Sequence, residues 1–303
     1  MRRLTTTLLV LFLVGAATAA VGLSRPLSTA TPMAVADIQQ SFELFDGTLY
    51  HSKPNLSRHG VHPLKVIYVS EFGEEWYNGP LRMQLPDEGR VKQLAREAAT
   101  KESLVAIDIE HWPLTGDLRT VQESVRKYRQ VAKWFHEAAP ALRIGFFGIA
   151  PMAAYGWSLR GAETPEYKTW QQINDSLIPL VQEVDIVFPH IYTYYPDQAA
   201  WVRFAAENVK EARRYGKPVY VFLWPQYTEQ AGTLAGSDVP PDYWMLQLET
   251  ITKHVDGVVI WGGWGDHGPE SWNEEAPWWQ VTKRFMQRLG PSSLSSPTAA
   301  RAQ

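Results

Sequence analysis

The chain contains no cysteine. This excludes a disulfide framework, a thiolate nucleophile and a lipid attached through sulfur. It has no surplus of positive charge: 29 Lys and Arg stand against 32 Asp and Glu, a formal net charge of −3. A mildly acidic protein lacks the means to hold phosphate backbones, so no nucleic-acid partner is expected. No G-x-G-x-x-G or P-loop follows the first strand pattern, which argues against a doubly wound nucleotide-binding sheet. Metal-ligand spacing is also missing. His59 and His62 stand alone in RHGVH, Asp266-His267 lies in a Gly-rich loop, and neither makes a three-ligand set. No metal and no cofactor are expected.

The longest apolar run, Leu8 to Ala17, is too short to cross a bilayer comfortably. Arg2 and Arg3 precede it, and Ala17-Thr18-Ala19 ends it as an A-x-A cleavage site. Residues 1–19 therefore read as a bacterial-type signal peptide, with an uncleaved anchor as the alternative. Its removal takes away two Arg and no acid, so −3 becomes −5. The mature protein is expected to be periplasmic or secreted, with no stable membrane insertion. Residues 20–37, rich in Ala, Ser, Thr and Pro, read as a flexible spacer, and 291–303 as a disordered tail. Residues 38–290 are expected to form a single catalytic domain.

Aromatic residues are plentiful: 13 Trp, 13 Tyr and 11 Phe. Flat aromatic faces pack well on the C–H groups of sugar rings, and they also fill cores. The middle of the chain alternates short apolar runs with amphipathic segments. Strands are expected at Lys65–Ser70, Leu104–Glu110, Arg143–Ile149, Asp185–Tyr192, Pro218–Trp224 and Gly257–Gly263, and near Phe42–Phe45. Val121, Val125, Tyr128, Ala132 and Phe135 mark one face of a helix. Residues 167–183, 198–215, 242–255 and 276–289 are further helices. The pattern predicts an α/β fold: a distorted (β/α) TIM-like barrel of about seven strands.

In such a barrel the site lies at the C-terminal strand ends. One strand there ends in SLVAIDIEHW. Asp108 and Glu110 are two apart, so on a strand they project from the same face. Mutual repulsion raises at least one pKa and keeps one carboxyl protonated. The other strand ends supply Glu71, Ala150 and Pro151, Tyr192 with Tyr194 and Tyr195, Trp224 with Tyr227, and Trp261 with Trp264; Trp112 follows the acidic pair, and Phe147 is a further candidate for the substrate site. Glu74, Glu75 and Trp76 follow the first clear strand. This is the equipment of a polysaccharide cleft. Two acids from one strand sit on the same side of a sugar, which suits substrate assistance better than opposed carboxylates. In that scheme the acetamido oxygen of the sugar attacks C1. Glu110 protonates the leaving oxygen and Asp108, ionised, accepts from the acetamido N–H. Tyr192 orients the acetamido group and Trp261 walls its methyl. Two alternatives stand beside this. One is a glycosidase pairing Glu110 with Asp266 or Glu270 across a non-acetylated glycan. The other is a non-catalytic glycan-binding barrel.

The chain resembles the hyaluronidases of glycoside hydrolase family 56 over roughly residues 60–265. LVAIDIEHWP resembles the family's strand with the D-x-E pair, and RIGFFGIAP its Gly-aromatic-aromatic-Gly strand. INDSLIPLVQEVDIVFPHIY resembles its Asn-Asp helix and the strand ending Pro-x-Ile-Tyr, and GVVIWGGW its last strand. The resemblance implies a distorted barrel and endo-acting cleavage of β-linked N-acetylhexosamine polymers. It makes Glu110 the proton donor, Asp108 the acetamido partner, Tyr192 the orienting hydroxyl and Trp261 a wall. This chain departs from the family pattern in carrying Phe147 where a Tyr is usual, and His111 where an acid or small residue is frequent. It also has no disulfides and no cysteine-rich C-terminal module. The departures leave room for a bacterial relative acting on another N-acetylated glycan, such as a biofilm or capsule polysaccharide.

Overall fold

The computed structural model describes residues 42–265 and 267–289. The expected signal peptide, spacer and tail lie outside the described residues, as does Asp266. Along the chain run β1 (Glu43–Asp46), β2 (Val61–Pro63), β3 (Lys65–Tyr68), α1 (Glu74–Asn78), α2 (Glu88–Ala99), β4 (Leu104–Asp108), α3 (Leu118–Ala138), β5 (Arg143–Phe146), α4 (Tyr155–Ser158), α5 (Pro165–Ser176), α6 (Ile178–Val181), α7 (Gln198–Arg213), β6 (Tyr220–Leu223), α8 (Pro241–Ile251), β7 (Gly257–Ile260), β8 (Trp264–Gly265), β9 (Gly268–Pro269) and α9 (Pro277–Leu289). Among the described residues no helix is long and apolar enough to cross a membrane.

The strands form two parallel sheets, β2-β1-β7-β6 and β3-β4-β5, and a small antiparallel β8-β9 hairpin. Parallel pairing needs a crossover between neighbours, and helices supply it. Helix starts are set by side chains that accept from otherwise unpaired N–H groups: Asp87 from Arg90, Asp117 from Thr120, and Asp197 from Ala200. On α3 the expected face is the buried one, with Val121, Val125, Tyr128, Ala132 and Phe135 all in the core.

Several elements differ from expectation, for local reasons. There are nine strands among the described residues, and β2, β8 and β9 were not foreseen. Residues 185–192 make isolated bridges, Phe147 with Phe188, Val187 with Val219 and His190 with Phe222, instead of a regular strand. Pro189 lacks the N–H that a continuous ladder requires. Pro179 likewise divides the helix expected over 167–183 into α5 and α6.

Side chains sort onto two faces of the strands. Outward residues such as Val105, Ile107, Val221 and Val258 join the large core beneath the helices. Inward residues form a second cluster, with Val66, Leu104, Ala106, Phe147, Phe188, Phe222 and Val259 among its members. Where β5 meets the 186–188 segment the backbones approach closely. A Cβ on Gly145 would lie 2.3 Å from the Ile186 carbonyl oxygen and 2.7 Å from the Phe188 ring. Gly145→Ala is therefore expected to destabilise the protein by about 1–3 kcal/mol, read as a lower urea midpoint at unchanged m-value.

Candidate active site

The cleft is built by continuing the inward face one step further along each strand. Two residues beyond Val66 comes Tyr68, beyond Ala106 Asp108, beyond Phe222 Trp224 and beyond Val259 Trp261. Register confirms the level: Tyr68 pairs with Asp108 across β3 and β4. Strand β4 ends at Asp108, so Glu110 stands just past it. Ile109 between them is fully buried, and the Tyr128 hydroxyl donates to its carbonyl at 2.8 Å. That anchor turns both acids to the same side.

Asp108 and Glu110 border two arms of one cleft. The narrow arm, about 310 Å³, is walled by Phe147, His190, Tyr192, Tyr194, Trp224 and Trp261. The wide arm, about 630 Å³, has Tyr68, Glu71, Tyr77, Arg82, His111 and Trp264 in its lining, and Trp261 is common to both. A further cavity of about 670 Å³ lies beside β1 and β3, where Lys53 pairs with Asp46 at 2.7 Å; the acidic pair does not border it.

The two carboxyls are hydrogen-bonded to each other, and burial raises the pKa of both. Asp108 is pushed up to about 7, first by burial and then by the Glu110 charge. Glu110 is exposed to the cleft, yet protein surrounds it closely enough to disfavour its charge as well. Burial and mutual charge together therefore favour one proton held by the pair into the neutral range.

Neutral donors ring the pair. Burial, followed by the charges of Glu110 and Asp108, raises the Tyr192 hydroxyl well above its ordinary pKa. Burial pushes Tyr68 up to about 12. The Trp261 indole N–H donates to the Tyr68 hydroxyl at 3.1 Å. The Trp261 ring stacks on Tyr192 at 6.2 Å and meets Trp224 edge-on at 5.2 Å, so its position is fixed from three sides. His190 lies 5.5 Å from Phe147, ring on ring, and its Nε2 is 3.1 Å from the Tyr194 hydroxyl. Burial lowers the His190 pKa to about 4, which leaves it neutral at physiological pH.

Of the residues singled out from sequence, the structure brings Asp108, Glu110, Phe147, Tyr192, Tyr194, Trp261 and Trp264 to the cleft. It does not bring Trp112 or Tyr227. Trp112 is 1% exposed, packed on Trp76 and Tyr128, and donates to the Arg82 carbonyl at 3.1 Å. Tyr227 is 3% exposed in the core beneath the helices. Both are core residues. Glu74 and Glu75 are exposed on α1 and line neither arm. Glu71 lines the wide arm, but Lys65 holds its carboxylate at 2.9 Å and the Tyr68 N–H donates to it. Glu270 lines neither arm. Among the described residues no three potential ligands gather to hold a metal.

Sequence reasoning missed Tyr68, Tyr77 and Arg82, whereas His190, read from sequence as a hydrogen-bonded core or cleft residue and not a ligand, lines the narrow arm. The signal for Tyr68 was available, since it is two residues beyond the inward Val66. It was overlooked because the strand was extended to Ser70, whereas residues 69–72 wind into a 3-10 turn.

No protein-family model matches the chain, and no curated protein matches it by sequence. Solved structures do resemble it. Bee venom hyaluronidase is 16% identical over 82% of this chain and 96% of its own, with a TM-score of 0.55. The same enzyme in complex with a hyaluronic acid tetramer gives a TM-score of 0.53, with the same identity and coverage. An endo-β-1,4-mannanase double mutant from Cellulomonas fimi is 12% identical over 76% of this chain and 55% of its own, at a TM-score of 0.51. At these identities the likeness is one of fold.

The raised Asp108 pKa carries a stability consequence. The group titrates near 3.8 when unfolded and about 7 when folded, so its contribution is full below the lower value and lost as pH rises through the upper one. Asp108→Asn is expected to leave stability nearly unchanged at pH 4 and to raise it by about 1–3 kcal/mol at pH 8. Thermal melts of both proteins at the two pH values check this.

Proposed function

We propose that the protein is an exported glycoside hydrolase that cleaves β-linked N-acetylhexosamine polysaccharide, with retention, by substrate assistance. The observation that carries this reading is the acidic pair: two carboxyls on one strand end, hydrogen-bonded and sharing a proton at the junction of two cleft arms. The other acid in the lining, Glu71, is engaged by Lys65. A nucleophile on the opposite side is then best supplied by the substrate's own acetamido oxygen. The fold shared with a hyaluronidase adds support, and so does a cleft walled by rings and neutral hydroxyls. We place the pair within a single (β/α) barrel, with the export signal in residues 1–19.

Binding would turn Asp108 toward the acetamido N–H and release the shared proton to Glu110. Glu110 gives that proton to the glycosidic oxygen as the C1–O bond breaks, while the acetamido oxygen bonds to C1. Asp108, now ionised, stabilises the positive charge spread over the resulting ring. Tyr192, a neutral donor, holds the acetamido group, and Trp261 closes around its methyl. Water then attacks C1 as the bond from C1 to the acetamido oxygen breaks and its electron pair returns to a neutral acetamide; the Glu110 carboxylate takes the water's proton, and the sugar is released with its configuration kept.

Glu110→Gln is expected to lower kcat by about 10²–10⁴-fold on an N-acetylated polymer. Product release from a panel of polymers, acetylated and de-N-acetylated, tests both halves of the reading. Full activity in the variant would remove Glu110 as the acid, and equal rates with and without the acetamido group would remove substrate assistance.

The pH profile follows from the pair. Activity requires one shared proton, so kcat/KM should fall as pH rises through about 7. It should fall again in acid, when both carboxyls are protonated. A profile flat to pH 9 would contradict the shared-proton arrangement.

A further inference from the structure

Among the described residues three aromatic rings are exposed: Trp157, Tyr195 and Trp264. Single exposed rings need no explanation, but two of these connect to the cleft. Trp264, 54% exposed, borders the wide arm. Tyr195, 43% exposed, lies outside the lining of either arm but is joined to the narrow-arm wall by a succession of ring contacts. Tyr194 is in the narrow-arm wall, Tyr155 lies 5.5 Å from it, and Tyr195 lies 5.1 Å from Tyr155.

The rings are braced from behind. Tyr155 rests on Phe204 at 5.0 Å, and Phe204 is fully buried. The Tyr194 hydroxyl is held by His190. The Tyr195 carbonyl accepts from the Tyr243 hydroxyl at 3.4 Å. A braced ring presents a flat face at little cost in conformational entropy.

We propose that Tyr155 and Tyr195 form a distal glycan subsite, which binds sugar rings of the chain where it leaves the narrow arm. This rests on the reading of the cleft as a glycan site. The occupant is the substrate polymer itself, because the platform is continuous with the cleft wall through Tyr194. The exposed rings select sugars by their C–H faces.

The test is affinity as a function of chain length. Calorimetry on Glu110→Gln, with N-acetylglucosamine oligosaccharides from the disaccharide to the octasaccharide, gives the ratio of short-chain to long-chain Kd. Adding Tyr195→Ala is expected to reduce that ratio by about three- to tenfold, and Tyr195→Phe, which keeps the ring, to restore it. An unchanged ratio in Tyr195→Ala, equal loss in Tyr195→Phe, or no binding of any oligosaccharide would overturn the subsite. Failure of the catalytic reading looks different: the wild-type protein would release no product from any polymer while length-dependent binding and its sensitivity to Tyr195 persisted.

Discussion

One shared proton organises this protein. Two carboxyls cannot both be charged at close range in a partly dry cleft, so they hold a proton between them. For that to work they must face the same way, within hydrogen-bond reach of each other, at a depth partly shielded from water. Strand β4 provides the direction through its alternation. Ile109, locked in the core and hydrogen-bonded by Tyr128 from α3, provides the depth. The helix that crosses back over the sheet is thus also the clamp on the residue between the acids.

The same alternation ties the cleft to the core. Val66, Ala106, Phe222 and Val259 pack together on the inward face, and the next inward residues, Tyr68, Asp108, Trp224 and Trp261, become the cleft. The side chains that hold the strands in place and those that meet a ligand belong to one continuous stack. Close backbone approach at Gly145 extends this dependence to the 186–192 segment, which carries His190 and Tyr192 with only isolated bridges to hold it.

What was legible in the sequence follows from this. On β4 and β7 and one alternation step beyond them, reading by twos placed residues well: Asp108, Glu110 and Trp261 meet at the cleft. Beyond that step the rule loses force, because the chain turns. Trp112 and Tyr227 lie in such turns, where packing decides, and two large rings were drawn into the core instead of the cleft. Tyr68 was lost for the opposite reason, since a strand drawn too long moved attention to Ser70 and Glu71. The unequal burial of the two carboxyls was not legible at all, since D-x-E contains nothing about depth.

The acidic pair lines both arms of the cleft. For the function proposed here, a long glycan would lie across the pair with chain extending both ways, and its first cuts would fall far from its ends. The viscosity of a polymer solution would then collapse while few new reducing ends had formed. In a hydrated extracellular matrix, a handful of turnovers would soften the gel before it yielded sugars to take up.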